Sequence, residues 1–252
     1  MQRSLVGSEM CIRDRYSLET ERIIWQYMEN EPRIQYIKME ENLGISGNSN
    51  RALQAAKGAY VALLDHDDVL TEDALYWVVD ALQRERYDVV YSDEDRMAEN
   101  GSHYLEPRFK PEFDIDLLRA YNYISHLFVA RRELMLADGG FHSQYDGAQG
   151  YDMILRCCEG NREICHIPRV LYHKRIHDGT SSEREAKHAQ ENLAGKEALE
   201  AHVSREHLLA RVMMTDQRSV YTVKYDTPGN PLVSMIITGH TNRSLMEQML
   251  EP

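Results

Sequence analysis

Residues 59–68 read AYVALLDHDD, six apolar residues followed without a break by Asp65, His66, Asp67 and Asp68. A run this short and this apolar suits a strand buried on both faces of a parallel sheet. The acidic loop then falls at the carboxyl end of that strand, where open α/β sheets bind their ligands. Next, Thr71 is placed to cap a helix whose first turn carries Glu72 and Asp73, and Leu75, Val78, Val79 and Leu82 recur at helical spacing. Residues 87–91, YDVVY, return to strand character and lead into a second acidic cluster, SDED, expected just past the strand end. This alternation predicts an α/β fold, a mostly parallel sheet with helices on both faces.

The reading extends outward from there. Residues 17–29 have the spacing of a helix with Ile23, Ile24 and Tyr27 on one side, and Arg33–Met39 alternates like a strand. ENLGISGNSN (41–50) is a Gly/Asn loop, followed by a short helix over 50–57 that Gly58 stops. Residues 101–125 are expected to be a long structured loop, with a strand over 125–130, a Gly-rich stretch over 138–148, a helix near 150–158 and a strand over 170–173. Ser182 and Glu185 form a capping box that opens a long helix to about residue 203. Strands follow at 210–214 and 219–225, then the linker DTPGNP (226–231) and a new apolar strand, PLVSMIIT (231–238). Residues 1–15 lack periodicity and the apolar core of a signal peptide, and read as a foreign or disordered segment. The expected layout is therefore 1–15, a main domain over 16–225, and a linker with the start of a truncated second domain over 226–252.

With 29 Lys+Arg against 41 Asp+Glu, the net charge is −12. That balance argues against a general nucleic-acid binder, which would carry a basic patch for phosphates, while leaving room for a small basic site, so nucleic acid is not an expected partner. No apolar run is long enough to span a bilayer. The four cysteines form no CxxC pair, which favours a reducing cytosol over a disulfide framework or a zinc site. Asp65 and Asp67, two residues apart at a strand end with Asp68 beside them, can hold a hard divalent ion and leave positions open for phosphate oxygens. Such an ion would neutralise a leaving diphosphate.

The ordered series ENLGISGNSNRALQAAKGAYVALLDHDD, YDVVYSDEDR, FKPEFDIDLLRAYNYISHLFV, GGF, DGAQGYDMILR and HIPRVLYHKRIHDGTSS resembles glycosyltransferase family 2 over residues 17–182. More narrowly, it is similar to the bacterial cell-surface polysaccharide branch, including enzymes of O-antigen and rhamnan assembly. The resemblance implies a GT-A fold lacking its normal first strand. It implies inverting transfer from a nucleotide-diphosphate sugar donor to a glycan or lipid-linked glycan acceptor. Asp65-His66-Asp67 matches the family's DxD motif, which makes Asp67 a ligand of Mn²⁺ or Mg²⁺ and Asp65 a contact of the ribose or the metal. Asn42, Gly44, Asn50 and Arg51 match a donor-side segment. His177 matches a histidine that completes the metal shell, with His173 as its rival. A cytoplasmic location follows, with peripheral contact at the inner membrane face.

The resemblance also exposes departures. Where the family reads like AQDYD, with its first Asp as general base, this chain has Gly150. Asp152 survives two residues on and is the candidate catalytic residue that remains, although it lies about 200° around a helix axis from that position, so that it would need a shifted register. Lys174 replaces a frequent Trp. PLVSMIIT resembles the family's first strand, so residues 232–237 are candidates to pair beside 59–64. Two rival functions remain open: a donor-binding module silenced by Gly150, and a phosphatase in which Asp65 is a nucleophile.

Overall fold

The computed structural model describes residues 18–39, 41–137, 139–176, 182–236 and 248. Helix α1 (Leu18–Asn30) is followed by a segment without regular structure. Trp25 meets Tyr36 edge-on at 6.3 Å and Glu21 pairs with Lys38 at 3.1 Å, so α1 packs on the segment that follows it. Ile24 turns inward, whereas Ile23 and Tyr27, expected beside it, face solvent. The strand expected over Arg33–Met39 does not form, because its backbone finds no partner strand among the described residues. The Gly/Asn loop is also shorter than expected. Helix α2 (Gly44–Ala55) begins inside it, with Gly44 in the left-handed region at φ +73° and its N–H held by the Asn42 side chain.

The remaining elements are β1 (Tyr60–Leu63), β2 (Val69–Leu70), α3 (Ala74–Arg84), β3 (Val89–Met97), β4 (Tyr104–Arg108), α4 (Ile115–Ala120), β5 (Phe128–Arg131), α5 (Arg132–Ala137), α6 (Gln149–Cys157), β6 (Ile164–Arg175), α7 (Ser182–Arg205), β7 (Ala210–Met214) and β8 (Tyr221–Tyr225). Five strands lie in the order β1-β5-β3-β6-β2, with β4 added along the far half of β3. The sheet is mixed rather than mostly parallel. The α3 crossover keeps β1 and β3 in one direction and β6 runs with them, but β5 is inserted antiparallel between β1 and β3. The tight turns before β2 and β4 send both back antiparallel. Thr71 does not cap α3, which starts three residues later at Ala74.

Helices do cover both faces, and β3 shows why. Its side chains alternate, so Val89 and Tyr91 enter one core with Leu155 of α6 and Leu199 of α7. Val90 enters the other with Ala74, Val78 and Ala81 of α3. β7 and β8 form a separate hairpin where expected, and β8 touches α4 through Tyr225. Beyond it, residues 231–236 carry no strand. Leu232 is 97% exposed and Ile236 87%, so among the described residues this segment does not pair beside β1. Among the described residues no helix is long and apolar enough to cross a membrane.

Candidate active site

β1 ends at Leu63, and the turn over Asp65–Asp68 closes with the Asp68 N–H on the Asp65 carbonyl at 3.2 Å. β2 then pairs with Tyr172 and His173 of β6, which brings the end of that strand against the turn. Asp68 is fixed from both sides, by the Arg175 N–H at 2.8 Å and the Tyr172 hydroxyl at 2.7 Å. Tyr172 in turn accepts the Asp65 N–H at 3.2 Å, and the Arg175 side chain holds the Asp67 carbonyl at 2.6 Å. His126 enters from the segment before β5 and stacks on Tyr172, ring centroids 4.6 Å apart. Its Nε2 lies 3.7 Å from an Asp65 oxygen.

Asp65, Asp68 and His126 thereby offer one ligand atom each, all within 4.8 Å of one another. Two carboxylate oxygens and an imidazole nitrogen form a donor set that suits a divalent cation. Burial, reinforced by the charges of Lys174 and Lys110, pushes the His126 imidazole down to about 3, so it is neutral at physiological pH and keeps a lone pair to offer. The Asp65 carboxyl is pushed up, first by desolvation and then by the charge of Asp68, although 58% of its side chain is open to solvent. A cation between the three groups would relieve the repulsion behind the second of these causes.

The second acidic cluster is organised differently. SDED lies inside β3, not past its end, because pairing with β6 carries the strand through to Met97. Asp93 accepts the Lys110 N–H and a His166 nitrogen, each at 2.8 Å. Asp95 meets His173 Nδ1 at 2.6 Å, with Tyr104 stacked on that imidazole. These carboxylates are engaged with basic groups and buried.

The donor-side residues predicted from sequence divide. Asn42 and Gly44 shape the start of α2, and Arg51 is exposed on that helix. The Asn50 side chain is spent on a reciprocal pair with the Phe141 backbone, 2.8 and 2.7 Å, which ties α2 to the GGF turn. Asp67 sits in the acidic turn but outside the three-atom cluster, and its side chain lies 3.8 Å from His66. His177 lies outside the described residues. His173, its rival, is bound to Asp95.

The structure does not leave Asp152 free to act as a base. Its side chain is wholly buried on α6, gripped by Arg156 through two bonds of 3.0 and 2.8 Å, with His142 at 3.3 Å. Gly150, by contrast, stands in the first turn of α6, and a Cβ built there would meet no atom within 4 Å. Sequence reasoning set Asp68 beside the expected ligands but missed the part of His126 and Tyr172. His126 and Tyr172 both stand in the quoted motifs, but neither carries a spacing signal that ties it to residue 65.

Residues 7–136 match the pattern of the family described as Glycosyl transferase family 2. The chain is 36% identical over 254 residues to the uncharacterized protein y4gI of Sinorhizobium fredii, covering 98% of this chain and 28% of that one. It is 33% identical over 232 residues to the O-antigen biosynthesis protein RfbC of Myxococcus xanthus, covering 91% of this chain and 18% of that one. The chain thus spans less than a third of these relatives' length. The S. aureus TarS fragment 1–349, solved in complex with UDP-GlcNAc, superposes with a TM-score of 0.53 at 19% identity, covering 71% of this chain and 54% of that one. At that identity the likeness concerns the fold.

Proposed function

Because the chain belongs to glycosyl transferase family 2, we propose that it binds a nucleotide-diphosphate sugar and takes part in inverting sugar transfer to a cell-surface glycan or lipid-linked glycan. The observation that carries this reading is the gathering of Asp65, Asp68 and His126 at the carboxyl end of β1. The RfbC and TarS names support the substrate class: one relative belongs to O-antigen biosynthesis and one fold neighbour binds UDP-GlcNAc. Family membership supports sugar transfer over the phosphatase alternative.

In this reading Asp65, Asp68 and His126 hold Mn²⁺ or Mg²⁺, and Asp67, in the same turn, contributes to donor binding. The ion would supply charge neutralisation for a departing diphosphate. The protein's own part is to hold two carboxylates fixed through Tyr172 and Arg175, and an uncharged imidazole beside them. Arg51 and the α2 start supply the donor side. The acceptor proton needs a carboxylate at residue 150, and this chain has Gly150 there. That observation favours a second reading, a donor-binding domain with impaired turnover.

Thermal melting with Mn²⁺ and UDP tests the proposal. At a ligand concentration a hundred times Kd, stability should rise by about 2.7 kcal/mol. The rise should vanish in Asp65→Asn/Asp68→Asn. A parent chain whose melting is indifferent to Mn²⁺ and UDP together would remove the reading.

A further inference from the structure

Lys110 is a lysine where lysines are seldom found. Its side chain is 4% exposed, and that of Glu94, its partner at 3.4 Å, is 6% exposed. The same ammonium donates to the Ile124 carbonyl at 2.7 Å and to the His126 carbonyl. These two carbonyls flank Ser125, whose φ of +37° lies in the left-handed region. A serine keeps that conformation only where its surroundings impose it. One charge thus clamps both sides of a strained turn, and the residue that leaves the turn is His126. Its ring lies on Tyr172, and the Tyr172 hydroxyl bridges Asp65 and Asp68. The other end of Lys110 is fixed as well, its N–H on Asp93 of β3.

We propose that Lys110 is the positioning residue of the cation and donor site, holding the 124–126 turn so that the His126 ring stays against Tyr172 and the Asp65–Asp68 turn. Lys110 touches neither cation nor donor. It links the buried acidic stretch of β3 to the exposed acidic turn after β1. The assignment rests on the function proposed above, and its test separates the two.

The variants are Lys110→Met and, to avoid stranding a buried carboxylate, Lys110→Met/Glu94→Gln. Hydrogen exchange is followed without ligand over peptides spanning 62–70 and 122–128, with α6 as an internal reference. Exchange over 65–68 should quicken at least tenfold in the folded double variant while α6 keeps its protection. Calorimetry should show Mn²⁺ affinity reduced at least tenfold. A merely structural lysine would lower the melting temperature and leave the 65–68 turn as protected as in the parent, which would overturn the proposal. Should the parent bind no Mn²⁺, the functional reading falls, and exchange over 65–68 alone decides the role of Lys110.

Discussion

Gly150→Asp tests the placement of the general base. Gly150 is the second residue of α6, and the Cβ that Asp would add meets nothing within 4 Å, so the substitution needs no repacking. A carboxylate in the first turn of a helix gains about 0.3–1 kcal/mol from the exposed N–H groups there, and replacing a helical glycine adds a few tenths. Melting should rise by about 1–4 °C, because 1 kcal/mol moves a domain of this size by about 2–4 °C. If residue 150 carries the base, turnover should rise by about 10²–10⁴, equivalent to about 3–5 kcal/mol of barrier. The assay is release of nucleoside diphosphate from a panel of nucleotide sugars in the presence of Mn²⁺ and acceptor glycans, run beside thermal melting. A variant that melts higher, binds UDP with Mn²⁺ and turns over no faster than the parent would refute the assignment of the base to this position.

Asp152→Ala should lower stability by about 3–5 kcal/mol in urea titration, since it leaves Arg156, 3% exposed, without its carboxylate. A loss under 1 kcal/mol would mean that the pair is not holding α6. His126 makes stability acid-sensitive. The unfolded chain takes up its proton near pH 6.5, whereas the folded chain refuses it until about 3. Stability from this group is therefore complete above pH 6.5 and falls by up to about 1.4 kcal/mol per unit between those limits, about 2 kcal/mol by pH 5. His126→Phe should abolish that part of the slope, and equal slopes in parent and variant would show that the imidazole is not buried neutral.

Most of the fold was legible because its signals are local. The apolar run of β1, the helical spacing of α3 and the capping pattern before α7 announced elements within a few residues of where they stand, although β1 is a half-exposed edge strand paired antiparallel to β5 and not one buried inside a parallel sheet. What was not legible depends on partners far away in sequence. The alternation of Arg33–Met39 is real, but alternation makes a strand only where another strand accepts its hydrogen bonds. SDED looked like a loop because it is charged, yet β6 pairs with it and His166, His173 and Lys110 meet its carboxylates. The candidate site divides in the same way. Asp65 and Asp68 follow from one motif, whereas His126 arrives from about sixty residues downstream and Asp152 is lost to Arg156, four residues away on its own helix.

The contact between Asn50 and the GGF turn carries a consequence for mapping function by mutation. Gly140 has φ +85°, and a Cβ there would fall 2.1 Å from the Asn50 side-chain oxygen. The two positions are thus sensitive for one structural reason: a side chain at 140 would be strained by that φ and would collide with Asn50, and loss of Asn50 would leave the Phe141 backbone without its pair. A scan that scores sensitivity alone would rank both with Asp65, although their side chains serve to fasten one segment of backbone to another. Only a measurement that separates folded amount from activity per folded molecule would sort the fastening from the chemistry.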